Sequence, residues 1–491
     1  MLRNSAFKRV VLVEKSRSIT ASLIWKFLER FSVQVIQFMV SIVIARILVP
    51  EEYGVMAILN VFISISSAIV QSGLSQYLIQ KKCISSTDYS TVLISSMLIS
   101  ILLYSLIYLC SPYIGSFFKM EELPVMLKVI ALQLFITPFT SVQMSYIRRN
   151  MLFDKMTFAS LIAVICSGFF GVISAKNGMG TWALIIQQLL YNIILFILLL
   201  FCIKYKPSIS FDLDCARLSF RFGFKLLIAD IVDKVYHSLV SIIIGRNFSK
   251  ATLAFFDRGK QFPLILIDNI DGSVQSVLYP AYSRLQDKQV EMKNLLRKSI
   301  RMSTYLSFIS MAFLLVVSDS LIYILLGTKW MSCVPYLKAY CIITMLFPLQ
   351  TTLLQSFIAM GKSSLYSNLI LLKRLIGALL LLLVVFISKD IFSIIGASLI
   401  IEVCSIIMIL FPARNLLDYH LYELVKDILV NLLIAVVVIC SGLFVSDMIE
   451  NHYISLIVVS ILSLVIVVFV SLIARNESFL LICQKLGFPK H

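Results

Sequence analysis

The chain has 491 residues, of which 59% are hydrophobic and 14% charged, and a mean hydropathy of +0.95. That composition excludes an ordinary water-soluble domain and predicts an all-α integral membrane protein whose elements are set by bilayer thickness. The net charge of +17 leaves nucleic-acid binding an unnecessary reading, because the cations gather in loops beside anionic headgroups.

Residues 1–18 are basic and polar and lack an apolar core, so no cleavable signal peptide is expected. Beyond them, apolar stretches of membrane-spanning length predict about fourteen helices, centred near residues 33, 67, 101, 135, 163, 192, 235, 268, 312, 345, 376, 401, 435 and 464. With the N-terminus inside, the connections on that side hold 27 lysines and arginines. The opposite connections hold six: Lys119, Lys176, Arg246, Lys250, Lys329 and Lys389. This asymmetry predicts a multi-pass protein with both termini cytoplasmic. The outer connections, such as Val49 to Tyr53 and Lys119 to Leu123, are too short to hold a catalytic domain. Of the longer inner connections, Lys204 to Lys225 reads as a linker between halves. Arg284 to Arg301 reads equally well as an interfacial amphipathic helix or as an extension of the ninth helix.

The halves are marked by an internal repeat. Val40-Ser41-Ile42-Val43-Ile44-Ala45-Arg46 returns as Val240-Ser241-Ile242-Ile243-Ile244-Gly245-Arg246, and Gly73-x-x-Gln76 as Gly272-x-x-Gln275. Upstream of the longer match, Arg30, Gln34, Gln37 and Ser41 correspond to Asp230, Lys234, His237 and Ser241. Their spacings place each set on one helical face. A parallel repeat predicts two pseudo-symmetric six-helix lobes followed by two C-terminal helices. The expected organisation is an N-terminal segment 1–18, an N-lobe 19–203, a linker 204–219, a C-lobe 220–412, two helices in 413–474 and a tail 475–491.

Charges inside apolar helices are expensive, about 2.5–3.5 kcal/mol each near mid-bilayer, so they must face one another or water. Lys26, Glu29, Arg30, Asp230, Asp233, Lys234, Asp268, Asp271, Lys373, Arg374 and Glu402 all fall there. Local neutralisation, such as Asp230 with Lys234, is one reading. The other is a hydrated path in which Arg30, Lys234, Lys373 and Arg374, with Gln34 and Gln37, bind an anionic ligand. Asp230, Asp233, His237, Asp268 and Asp271 are candidates for coupling to H+ or Na+; no other cofactor is implied. The ten cysteines stand singly, without metal-site spacing. Pro138, Pro263, Pro280 and Pro348 interrupt expected helices and are candidate bends.

Several motifs together resemble the Wzx-like polysaccharide transporters of the multidrug/oligosaccharidyl-lipid/polysaccharide exporter superfamily. They are Trp25-Lys26-Phe27-Leu28-Glu29-Arg30-Phe31, Ala45-Arg46-Ile47-Leu48-x-Pro50-Glu51-Glu52-Tyr53-Gly54, Gln71-Ser72-Gly73, Asp257-Arg258-Gly259-Lys260-Gln261-Phe262-Pro263 and Gly272-Ser273-Val274-Gln275-Ser276-Val277-Leu278-Tyr279-Pro280. The resemblance runs from Ile19 to the end of the twelfth helix. It implies two lobes around a central cavity, in a monomer of the bacterial inner membrane. It implies a flippase for undecaprenyl-diphosphate-linked oligosaccharide, working by alternating access, with a polysaccharide polymerase and chain-length machinery as further partners. By position it places the diphosphate on Lys26, Arg30, Arg258 and Lys260. Asp257, Asp230 and His237 depart from the pattern. The competing functions are a cation-coupled drug exporter of the same superfamily, a membrane-embedded glycan polymerase or ligase, and a scaffold in a polysaccharide-assembly complex.

Overall fold

The computed structural model describes residues 19–71, 73–203, 210–286, 288–388 and 390–485, excluding the side chains of residues 19–30, 225, 226, 482 and 485. Among the described residues the regular elements are all helical. In chain order they are α1 (Ile19–Ile47), α2 (Pro50–Gln71), α3 (Leu74–Gln80), α4 (Ser86–Phe118), α5 (Leu123–Ile130), α6 (Gln133–Arg149), α7 (Phe153–Lys176) and α8 (Thr181–Cys202). There follow α9 (Leu213–Asn247), α10 (Lys250–Ser283), α11 (Gln289–Leu326), a 3-10 turn (Thr328–Cys333), α12 (Val334–Thr344), α13 (Phe347–Ala359), α14 (Ser363–Ile387), α15 (Ile391–Leu417), α16 (Leu421–Met448), α17 (His452–Ile473) and α18 (Glu477–Lys485).

Among the described residues, eleven helical stretches are long and apolar enough to cross a membrane. The sequence expectation was fourteen. The three remaining regions do form helices, but α9 carries too many charges and α10 is too polar overall to meet that criterion, and the described apolar part of α1, Phe31–Ile47, is too short for it. The chain is a multi-pass membrane protein, and its many exposed leucines, isoleucines and phenylalanines, such as Leu102, Phe201 and Phe386, are the surface that lipid would cover.

The chain divides into two compact units. One comprises the residues up to Leu48 and Leu59–Lys234; the other comprises Val49–Ile58 and the residues from Val235 onward. Two of its three junctions fall inside helices, α2 and α9.

In the first unit, α7 packs against both α1 and α8. Its buried positions are small, Ala159, Ala163, Ser167, Gly168 and Gly171 among them, which lets neighbouring backbones approach without a hydrophobic driving force between helices. Arg149, the last residue of α6, donates to the carbonyls of Leu78, Ile79, Lys81 and Lys82. It thereby satisfies the end of α3, whose carbonyls have no helical partners. The next helix starts with a capping box in which Ser85 and Asp88 bond each other's backbone nitrogens. Lys81 Nζ donates to Asp88 Oδ1 at 2.6 Å, and this bond raises the Lys81 pKa above its ordinary value. Gly73, at φ 76°, faces Gly223 so closely that a Cβ at Gly73 would lie 2.1 Å from the Gly223 Cα.

In the second unit, α11 packs against α16 and α17, and α10 against α12 and α13. An apolar core joins Met292, Leu296 and Ile300 to Leu353 and Phe357 and to Ile409, Ala413 and Leu417. Here α11 is continuous over 38 residues, so the basic segment before the ninth expected helix is its extension. An ion network closes its N-terminal end. Arg297 grips both oxygens of Asp427 through Nε and Nη2 at 2.9 Å, and Arg301 Nε donates to Asp427 Oδ1 at 2.8 Å. The Tyr419 hydroxyl donates to Asp427 Oδ2, Lys293 pairs with Glu423, and Arg301 reaches Glu477 on α18 at 2.6 Å. Pro348 sits in the first turn of α13, where a missing N–H costs nothing, whereas Pro138, Pro263 and Pro280 lie inside continuous helices.

Candidate functional site

The second unit carries a polar cluster in the middle of otherwise apolar helices. Lys373, eleven residues into α14, donates to Glu402 Oε2 of α15 at 2.7 Å and to Gln350 Oε1 of α13 at 2.8 Å. The Gln350 amide returns a bond to the same Glu402 oxygen at 2.7 Å. Three helices thus contribute one side chain each to a closed ring, with side-chain exposures of 15% for Lys373 and 9% for Glu402. Burying either charge alone would cost several kcal/mol, so the partner and the amide are what make the position tenable.

The neighbouring residue on α14, Arg374, places its guanidinium 4.5 Å over the Tyr236 ring, and its Nη2 lies 3.1 Å from His237 Nε2. One residue beyond Gln350, the Thr351 hydroxyl donates to Asp271 Oδ1 at 2.5 Å, while Gln275 donates to Asp271 Oδ2 at 2.7 Å. The ring is therefore flanked by a cation on an aromatic face and by a carboxylate held by neutral donors.

Two of the expected ligands, Arg258 and Lys260, have partners within the protein. Arg258 is only 8% exposed. Its guanidinium lies 4.4 Å over the Tyr53 ring and 5.7 Å from Trp330, and Nη1 donates to Gln261 Oε1. A planar, weakly hydrated cation suits such an aromatic clamp, and the two family motifs that contain Tyr53 and Arg258 meet in it. Beside Tyr53, Gly54 touches α10: a Cβ there would lie 2.0 Å from the Lys250 carbonyl oxygen. Lys260 is paired with Asp257 at 2.6 Å and donates to Ser241 at 3.0 Å. In this arrangement Arg258 and Lys260 make packing and pairing contacts, and Arg258 Nε is buried without a hydrogen-bond partner among the described residues.

Of the other residues named from sequence, Lys26 and Arg30 lie outside the described side chains. Gln34 is half-buried and Gln37 exposed on α1. On α9, Asp230, Lys234 and His237 are exposed and Asp233 is half-buried; on α10, Asp268 is exposed and Asp271 half-buried. The structure brings together Lys373, Arg374, His237 and, through Thr351, Asp271. Sequence reasoning left Gln350, Thr351 and Tyr236 out of the site and did not pair Glu402 with Lys373. The charge at mid-helix in α15 was the signal that a partner had to exist. Among the described residues, no group of three or more His, Cys, Asp or Glu side chains is placed to hold a metal.

Comparison with known proteins agrees with this architecture. The lipopolysaccharide biosynthesis protein WzxC of Escherichia coli (strain K12) is 21% identical over 306 residues, covering 62% of this chain and 62% of its own. The teichuronic acid biosynthesis protein TuaB of Bacillus subtilis (strain 168) is 23% identical over 299 residues, covering 60% of this chain and 62% of its own. The chain thus spans less than two thirds of the length of these curated relatives. Among solved structures, the lipid II flippase MurJ in an inward closed conformation superposes with a TM-score of 0.73 at 16% identity, over 94% of this chain and 99% of that one, a likeness of fold. The family described as polysaccharide biosynthesis protein matches residues 43–335. With that match running over more than half of its residues, the chain belongs to the polysaccharide biosynthesis protein family.

Proposed function

We propose that the chain is a flippase that carries undecaprenyl-diphosphate-linked oligosaccharide from the cytoplasmic to the periplasmic leaflet of a bacterial inner membrane. The observation that carries this reading is the Lys373–Arg374 pair of cations held at mid-helix in the second unit. Cations are retained at such depth when they pair or serve a charged substrate, and a diphosphate is the part of a lipid-linked saccharide that needs them. Family membership, the relatives' roles in surface polysaccharide synthesis and the fold shared with a lipid II flippase support the substrate class. In this reading the chain is a transporter and not an enzyme. The excess of lysine and arginine on one side supports cytoplasmic termini. Polysaccharide polymerase and chain-length proteins would act on the product after it has crossed.

The test uses vesicles containing the purified protein and a fluorescent undecaprenyl-diphosphate oligosaccharide. Active protein should make the inner-leaflet probe accessible to a membrane-impermeant quencher, and Lys373→Ala should slow this at least tenfold. Accessibility unchanged by wild-type protein would overturn the proposal.

A further inference from the structure

A cavity of about 460 Å³ in the second unit stands outside the mid-helix ring. Helix α11 lines it with Arg297, Lys298 and Arg301, and α18 lines it with Leu480, Leu481 and Gln484. Its depth follows from the spans around it. The apolar span of α17 ends at Ile473, just before α18, and that of α16 begins at Leu421, just ahead of the Glu423 and Asp427 that bind the arginines. Helix α11 has 38 residues, which at about 1.5 Å each is nearly twice a hydrocarbon core of about 30 Å. Its first turns therefore stand outside the apolar layer, and the cavity lies at the level of lipid headgroups.

The cations there retain donors. Arg297 commits Nε and Nη2 to Asp427 and Nη1 to Glu423, while Arg301 commits Nε and Nη2 to Asp427 and Nη1 to Glu477. Each Nη nitrogen carries a second N–H, so both guanidinium groups have hydrogens left over. Their planes are already fixed, because the Asp427 side chain that holds both is fully buried. Lys298 is exposed and makes no ion pair or side-chain hydrogen bond among the described residues. The lining contains one carboxylate, Glu477, which is 68% exposed and paired with Arg301.

We propose that this cavity is a binding site for a phosphate ester of the kind that anionic membrane lipids carry in their headgroups. The leftover guanidinium hydrogens and the Lys298 ammonium donate to the phosphate oxygens, and Leu480 and Leu481 cover the carbons next to the ester. Basic pockets at the ends of membrane helices take anionic headgroups in this way. Because the arginines are held in place by Asp427 before the ligand arrives, little ordering opposes binding. The bound phosphate bridges α11 and α18 and so pins the C-terminal helix to the membrane edge. The site shares no residue with the Lys373 ring and does not depend on the flippase reading.

The test titrates the full chain in detergent with dioctanoyl phosphatidate, with dioctanoylglycerol, which lacks only the phosphate, and with inorganic phosphate. Native mass spectrometry counts bound lipid, and the unfolding midpoint gives the affinity of all three. One phosphatidate should be retained per chain and raise the midpoint, with dioctanoylglycerol at least tenfold weaker. Lys298→Glu on α11 and Gln484→Glu on α18 should each weaken phosphatidate binding at least tenfold. Lys288→Glu, the same charge change at an exposed position before α11, should leave it unchanged. Inorganic phosphate matching phosphatidate, and weakened by the same two variants, supports the site with a free phosphate as its ligand; phosphatidate binding at least tenfold tighter than inorganic phosphate supports it with a lipid. Phosphatidate binding no tighter than dioctanoylglycerol, or weakened as much by Lys288→Glu as by the two cavity variants, or unchanged in both of those, overturns the proposal.

Discussion

Two ion networks in the second unit use the same chemical groups and come to opposite ends. At the N-terminal end of α11, Asp427 is met by Arg297 through two bonds, by Arg301 and by Tyr419, and Arg301 continues to Glu477. At mid-helix, Glu402 meets one lysine and one amide. The first network is multidentate and cross-links α11, α16 and α18, so no member can leave without stranding the rest. The second is a small ring of one ammonium, one carboxylate and one amide. Redundant, forked pairing fixes helices in place, whereas a single lysine with an adaptable amide leaves room for a ligand.

This contrast can be broken at several points. The largest effect is expected from Asp427→Ala, which strands two arginines and should cost about 3–5 kcal/mol, read as a lowered unfolding temperature of the detergent-solubilised protein. Arg297→Lys keeps the charge but loses the fork, and should cost about 1–2 kcal/mol by the same measurement. At the mid-helix ring, replacing both partners by amides, Lys373→Gln with Glu402→Gln, which keeps hydrogen-bonding groups beside Gln350, should leave stability within about 1 kcal/mol of wild type while abolishing flipping in vesicles. A large stability loss there would make the ring another structural cross-link. The smallest effect is expected from Lys288→Ala, since the Lys288–Glu291 pair is exposed on both sides and such pairs contribute about 0–1 kcal/mol; its thermal midpoint should barely move.

Much of the fold was legible because apolar length and local pattern report on membrane helices directly. The repeat is the clearest case. Helix α1 ends at Ile47 and α2 begins at Pro50; α9 ends at Asn247 and α10 begins at Lys250, an identical offset in sequence and in structure. The continuity of α11 was not legible, because an amphipathic face near a membrane surface fits both an interfacial helix and an extended one. The site was half legible. That Lys373 and Glu402 needed partners follows from the cost of burying charge, but local spacing finds only partners within a helix, and these two meet across 29 residues and two helices. The contacts of Arg258 were illegible for the same reason. Its motif suggested a ligand, while the aromatic rings that hold it, Tyr53 and Trp330, lie far away in sequence.

The start of α2 also has a consequence in time. Tyr53 and Gly54 find their packing partners at Lys250, Arg258 and Trp330, some two hundred residues or more later in the chain. At a synthesis rate of about 5–20 residues per second, roughly 10–40 s separate the emergence of Gly54 from that of Lys250. The first hairpin is thus in the translocation machinery or the bilayer long before its neighbours are made. The glycine and the tyrosine hydroxyl at its tip are then exposed to whatever lies there. Biogenesis of this protein is in that sense ordered by its second half, which must arrive before the first helix pair can be completed.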